Sequence, residues 1–95
     1  KDNHRQMRII KGFILRKVAG QSIVVGEGIG QIDFNKLVSL NSTAAWLWEQ
    51  VADKEFTEQT LAGLIVAHYG IDMAEAQRDA HDLAALWLKA GLIEN

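Results

Sequence analysis

The sequence predicts an α+β domain: a three-stranded antiparallel β-sheet in the N-terminal part, followed by three helices in a winged helix-turn-helix-like plan. Three observations carry this. Bulky and branched residues gather in short runs before residue 41. Beyond it, apolar residues recur at the helical spacing i, i+3, i+4, i+7. Strand-like and helix-like segments are also segregated along the chain rather than alternating, which separates this plan from the doubly wound folds.

Residues 1–8 are polar and basic and are expected to form a flexible N-terminal tail, with the folded domain covering 9–95. Phe13 to Val18 is rich in bulky and branched residues, Ala19-Gly20-Gln21 can turn, and Ser22 to Val25 is branched again, the pattern of a β-hairpin. Gly26-Glu27-Gly28-Ile29-Gly30 reads as a loop. Phe34 to Leu40 follows as a short third strand, with Lys36, Val38 and Leu40 on one face and Leu37 and Ser39 on the other. Asn41-Ser42-Thr43 supplies capping residues for a first helix over about 42–52, whose stripe is Ala44, Leu47, Trp48 and Val51. Thr57 opens a second helix; Leu61, Leu64, Ile65 and His68 mark its stripe, and Gly70 ends it as a left-handed cap. Asp72 to Glu75 has the spacing of a capping box, and Ala76, Ala80, Leu83, Ala84, Trp87 and Ala90 carry a third helix to Gly91.

Composition bounds what such a domain can do. At 95 residues the chain is one domain, and 48% hydrophobic with 23% charged residues places it among folding sequences rather than disordered ones. With no cysteine there is no disulfide, no thiolate metal site and no cysteine nucleophile. The longest apolar run, Leu61 to Ala67, falls far short of the roughly 18 residues of a membrane span, so a soluble, cytoplasmic protein is expected. Charge is polarised: residues 1–36 hold seven basic against three acidic side chains, and residues 37–95 hold three against nine. Such a molecule can steer a charged partner.

The chemistry-bearing residues exclude more than they suggest. Gly26, Gly28 and Gly30 match G-x-G-x-G, but Gln31-Ile32-Asp33-Phe34 follows where a phosphate loop needs a helix N-terminus. His4, His68 and His81 form no i, i+4 pair, which argues against a metal site; His68 reads as a hydrogen-bonded helix-end residue and His81 as exposed. Asp79 and Asp82 share a helix face, yet nothing supplies the convergent nucleophile or metal that catalysis requires, so no enzymatic activity is expected. Nor does the third helix suit DNA: Arg78 and Lys89 are outnumbered by Asp72, Glu75, Asp79 and Asp82 where phosphates would have to be neutralised. Trp48 and Trp87 fall on apolar stripes and read as core. Trp46, two residues from Trp48, is rotated by about 200° and cannot enter the same core, which leaves it covering the sheet edge, packing on a neighbouring helix or contacting another protein.

Several short motifs in order resemble the PqqD family: Phe13-Ile14-Leu15-Arg16 before a glycine turn, Phe34-Asn35 leading to Leu40-Asn41-Ser42-Thr43-Ala44-Ala45, Trp48-Glu49, Tyr69-Gly70-Ile71-Asp72, Asp79-Ala80 and Ala90-Gly91-Leu92-Ile93. The resemblance covers residues 9–94. It implies a peptide chaperone without catalysis or cofactor. Such a protein recognises the leader of a ribosomally made precursor peptide by β-strand addition beside the third strand, in a groove against the third helix. It then presents the peptide to a modifying enzyme of the radical S-adenosylmethionine type. The chain departs from the family pattern where Ala80 replaces a bulky branched residue and Trp87 a common leucine.

Carried onto this sequence, the implied site comprises Lys36, Leu37, Val38 and Ser39 on the strand and Arg78, Asp79, Asp82, Leu83 and Leu86 on the helix. Val38, Leu83 and Leu86 would offer apolar walls and Arg78, Asp79 and Asp82 charge. Neither nucleic acid nor membrane is an expected partner, and a homodimer is compatible with the reading. The alternatives are an orphan scaffold or oligomerisation module of the same fold and, behind it, a winged-helix DNA-binding regulator.

Overall fold

The computed structural model describes residues 6–27 and 37–95. Strand β1 (Arg8–Ile9) leads into the hairpin β2 (Phe13–Val18) and β3 (Gln21–Gly26), followed by β4 (Leu37–Leu40). Three helices come next: α1 (Ser42–Val51), α2 (Glu58–Tyr69) and α3 (Met73–Lys89). A short β5 (Ile93–Glu94) closes the chain. The expected α+β plan is therefore the observed one. Strands β2, β3 and β4 form an antiparallel sheet in that order. The glycine loop from Gly28 and the start of the expected third strand, Phe34 to Lys36, lie outside the described residues.

Register sets the two faces of the sheet. Leu15, Val24 and Val38 are directly opposed across the strands, as are Lys17, Ser22 and Leu40; these rows face the helices, with Val24 and Leu40 buried. Ile14, Val25 and Leu37 form the next row and point to the other side. Hence Val38 packs against the core while Leu37 and Ser39 are exposed, the alternation read from the sequence.

Helix boundaries follow their caps. Asn41 Oδ1 accepts from the Ala44 N–H at 2.8 Å and starts α1. At α2, Thr57 and Thr60 exchange side-chain-to-backbone bonds of 3.1 Å in a reciprocal capping box, and Gly70, at φ +70°, closes the helix. Asp72 caps α3 through the Ala74 N–H, so the box anticipated between Asp72 and Glu75 is replaced by a single aspartate cap. The buried face of α3 is Ala76, Ala80, Ala84 and Trp87, and its small side chains let α3 lie close along α2. Trp87 is fully buried and meets Trp48 and Phe56 edge to face at 5.3 and 6.4 Å, as the core reading of both tryptophans required.

Two details differ from the expectations, and a third chooses among alternatives. Met7 and Arg8 do not behave as tail: Met7 is buried and exchanges backbone hydrogen bonds of 2.7 and 2.8 Å with Phe56, while Arg8–Ile9 pairs antiparallel with Ile93–Glu94. The apolar Met7, Ile9 and Ile10 find partners far along the chain, at Phe56, Ile93 and Leu92, a pairing that no local pattern announces. His68 is exposed rather than seated in the apolar stripe of α2, where Leu61, Ala62 and Ile65 are the buried residues. His68 stacks on Trp46, which is half-buried against the end of α2; of the roles open to Trp46, packing on a neighbouring helix is the one observed.

Candidate functional site

Strand β4 is an edge: among the described residues only β3 pairs with it. Half of the backbone donors and acceptors of an edge strand point away from the sheet, so they can template a further strand. The opposite edge, β2, carries Arg16 and Lys17, whereas Leu37-Val38-Ser39-Leu40 carries no charge. Charged edges resist strand addition, which favours β4.

Beyond the end of β4 a groove of about 360 Å³ opens between α1 and α3. Asn41, Thr43, Ala44 and Leu47 form the α1 side, Ile65 of α2 the floor, and Asp79, Asp82, Leu83 and Leu86 the α3 side. The spacing 79, 82, 83, 86 is one face of a helix, distinct from the alanine face turned to α2. Leu86 is 56% exposed, an unusual position for a leucine unless something covers it. Asp79 and Asp82 are exposed at the rim and make no ion pair among the described residues.

Of the nine residues singled out in the sequence, Asp79, Asp82, Leu83 and Leu86 thus converge on one groove. Val38 lies on the inner face of β4, Leu37 and Ser39 on its outer face, and Arg78 is exposed on α3 outside the groove walls. Lys36 lies outside the described residues. Sequence reasoning missed the opposing wall, Thr43, Ala44 and Leu47; their helical stripe marked Ala44 and Leu47 as core, and nothing in a periodicity tells a residue under the core from one at the lip of a groove. Ala80 and Trp87, the two departures from the family pattern, are fully buried and line no part of it. They alter how α3 seats on the core, not the chemistry of the groove wall.

Among the described residues no group of three or more histidine, aspartate or glutamate side chains is placed to hold a metal, and no helix is long and apolar enough to cross a membrane. The described chain is a small α+β domain in which an uncharged strand edge ends at a mixed apolar and acidic groove. The chain belongs to the PqqD family: the model for coenzyme PQQ synthesis protein D (PqqD) matches residues 13–93, most of the chain. Members of this family are non-catalytic accessory chaperones that bind precursor peptides in the biosynthesis of ribosomally made, modified peptides and work with biosynthetic enzymes. Comparison with curated proteins and with solved structures returned no significant match.

Proposed function

We propose that this protein is a cytoplasmic, non-catalytic adaptor that takes up the leader of a precursor peptide as an added strand on β4 and presents it to a modifying enzyme of the radical S-adenosylmethionine type. The observation that carries the reading is an uncharged free edge, Leu37–Leu40, followed at Asn41 by a groove in whose α3 wall Leu86 is left exposed. The edge supplies main-chain bonds that accept many sequences, and the groove supplies side-chain selection.

Magnitudes divide the labour. A four-residue edge offers about four hydrogen bonds at roughly 1 kcal/mol net each, well short of the about 8 kcal/mol of a micromolar complex. Side chains entering the groove must provide the remainder, and Leu83 and Leu86 are the apolar surface available on α3. A charge placed there should be costly, because it meets apolar side chains of the peptide instead of water.

The test uses a short peptide selected from a random display library against the folded protein. Leu86→Asp is expected to weaken that peptide at least about tenfold, or 1.4 kcal/mol, by isothermal calorimetry. Because Leu86 is largely exposed, the variant should keep the parent's circular dichroism. A folded Leu86→Asp protein that binds as tightly as the parent would show that the peptide does not use this groove.

A further inference from the structure

The groove between α1 and α3 carries two carboxylates and nothing that neutralises them. Asp79 and Asp82 belong to its α3 wall, both are exposed, and neither makes an ion pair among the described residues. Every other residue of the lining is uncharged. Arg78, the adjacent basic residue on α3, stands outside the groove walls and pairs with neither aspartate. We propose that the groove selects peptides carrying a lysine or arginine two residues from a bulky apolar side chain, the cation meeting Asp79 and Asp82 and the apolar group meeting Leu83 and Leu86. This selectivity rests on the uptake of a peptide strand proposed above and names the kind of peptide taken up.

A carboxylate at the rim of an empty groove keeps its water, and a peptide that covers the rim strips that water away. A neutral side chain leaves the loss uncompensated, and an acidic one adds repulsion. An ammonium or guanidinium group instead forms charge-assisted hydrogen bonds with the carboxylate oxygens. Asp79 and Asp82 are three residues apart on one helix face, so a single cationic group can serve both. Helix geometry places the apolar contact beside them. Leu83 lies four residues beyond Asp79 and Leu86 four beyond Asp82, an advance of about 6 Å along α3. Two residues of a strand advance about 6.6 Å and return the side chain to the same side. A strand lying along α3 therefore brings side chains at i and i+2 to the carboxylate pair and the leucine pair. Leu47 and Ile65, buried in the same groove, leave no polar partner for the apolar side chain to displace.

The experiment selects a random peptide display library in parallel against the full chain and against its double variant Asp79→Asn/Asp82→Asn, whose exposed positions should leave the circular dichroism unchanged. Lysine or arginine two residues from a bulky apolar residue is expected to be enriched by the parent and not by the variant. A peptide selected by the parent is then resynthesised with norleucine in place of lysine, or citrulline in place of arginine, and calorimetry is expected to show binding weakened about threefold or more. That replacement alters the peptide alone and does not depend on how the variant folds. Leu86→Ser, which removes the apolar contact without adding charge, separates the selectivity from peptide binding itself. Peptides weakened by Leu86→Ser but indifferent to the loss of their cation would leave the groove a peptide site and overturn its selectivity; peptides indifferent to Leu86→Ser would overturn both. Equal enrichment of basic residues in the two selections would also overturn the selectivity. So would sedimentation showing a dimer that Leu86→Ser dissociates, since the occupant would then be a second copy of this chain.

Discussion

Ala19 sits at φ +53°, the left-handed region, and is the one non-glycine described residue to do so; Gly20 follows at +81°. Two consecutive positive φ values make the two-residue loop between β2 and β3 a type I′ turn, one of the two turns that match the twist of the strands. Alanine has no polar side chain to ease this conformation, while asparagine tolerates it well. Ala19→Asn should therefore raise stability by about 0.5–1 kcal/mol, or about 3–6 °C in thermal midpoint for a domain of this size. A lowered midpoint would count against that account of the turn. The turn was legible from Gly20 and the flanking branched runs, and so were the caps Asn41, Thr57 and Asp72, because each is decided within four residues of chain. The stacking of Trp46 on His68 was not. Periodicity separates Trp46 from Trp48 by their angle on α1, but which ring on α2 it meets depends on how the two helices are placed.

At the scale of elements, the three helices and the inner and outer faces of β4 could be read because burial imposes a period of 3.6 or 2 on the residues themselves. Strands β1 and β5 could not, since each has two residues and their pairing joins Arg8 to Glu94 across the whole chain. The face of α3 turned to the core shows how an element couples fold to site. Ala76, Ala80 and Ala84 are fully buried, and the helix reaches α2 closely because they are small. Ala80→Leu should overpack this contact and cost roughly 1–3 kcal/mol in urea unfolding. Since Ala80 lies outside the groove, the folded fraction should still bind peptide with near-parental affinity. A variant of unchanged stability would mean that α2 and α3 have slack to separate. The same geometry explains why the groove could be half read. Leu83 follows the apolar stripe and Leu86 came only with the family resemblance, and that their face looks outward past Ile65 is settled only when α1 and α2 are in place.

For the whole molecule, charge and topology limit what can bind. Most acidic side chains belong to the helical part, and Asp79 and Asp82 sit at the groove rim. A DNA duplex approaching α3 meets carboxylates where phosphates need cations. At about 150 mM salt a gel shift should accordingly show no sequence-specific retention of duplex DNA. Sequence-specific retention would contradict the reading of α3. The chain ends are also tied together: Met7 lies against Phe56, and β1 against β5, so the sheet and helices share one core into which Leu92 and Ile93 are buried. In the proposed mode of binding, that shared core would hold β4 and α3 in fixed positions while a strand is added. The most direct test is an N-methyl scan of a peptide selected against the folded protein, methylating one backbone nitrogen at a time and measuring affinity by calorimetry. Strand addition on β4 predicts losses of about tenfold or more at every second residue of the bound segment, with the residues between tolerating the methyl group. Losses without a two-residue period, or none at all, would contradict binding by strand addition.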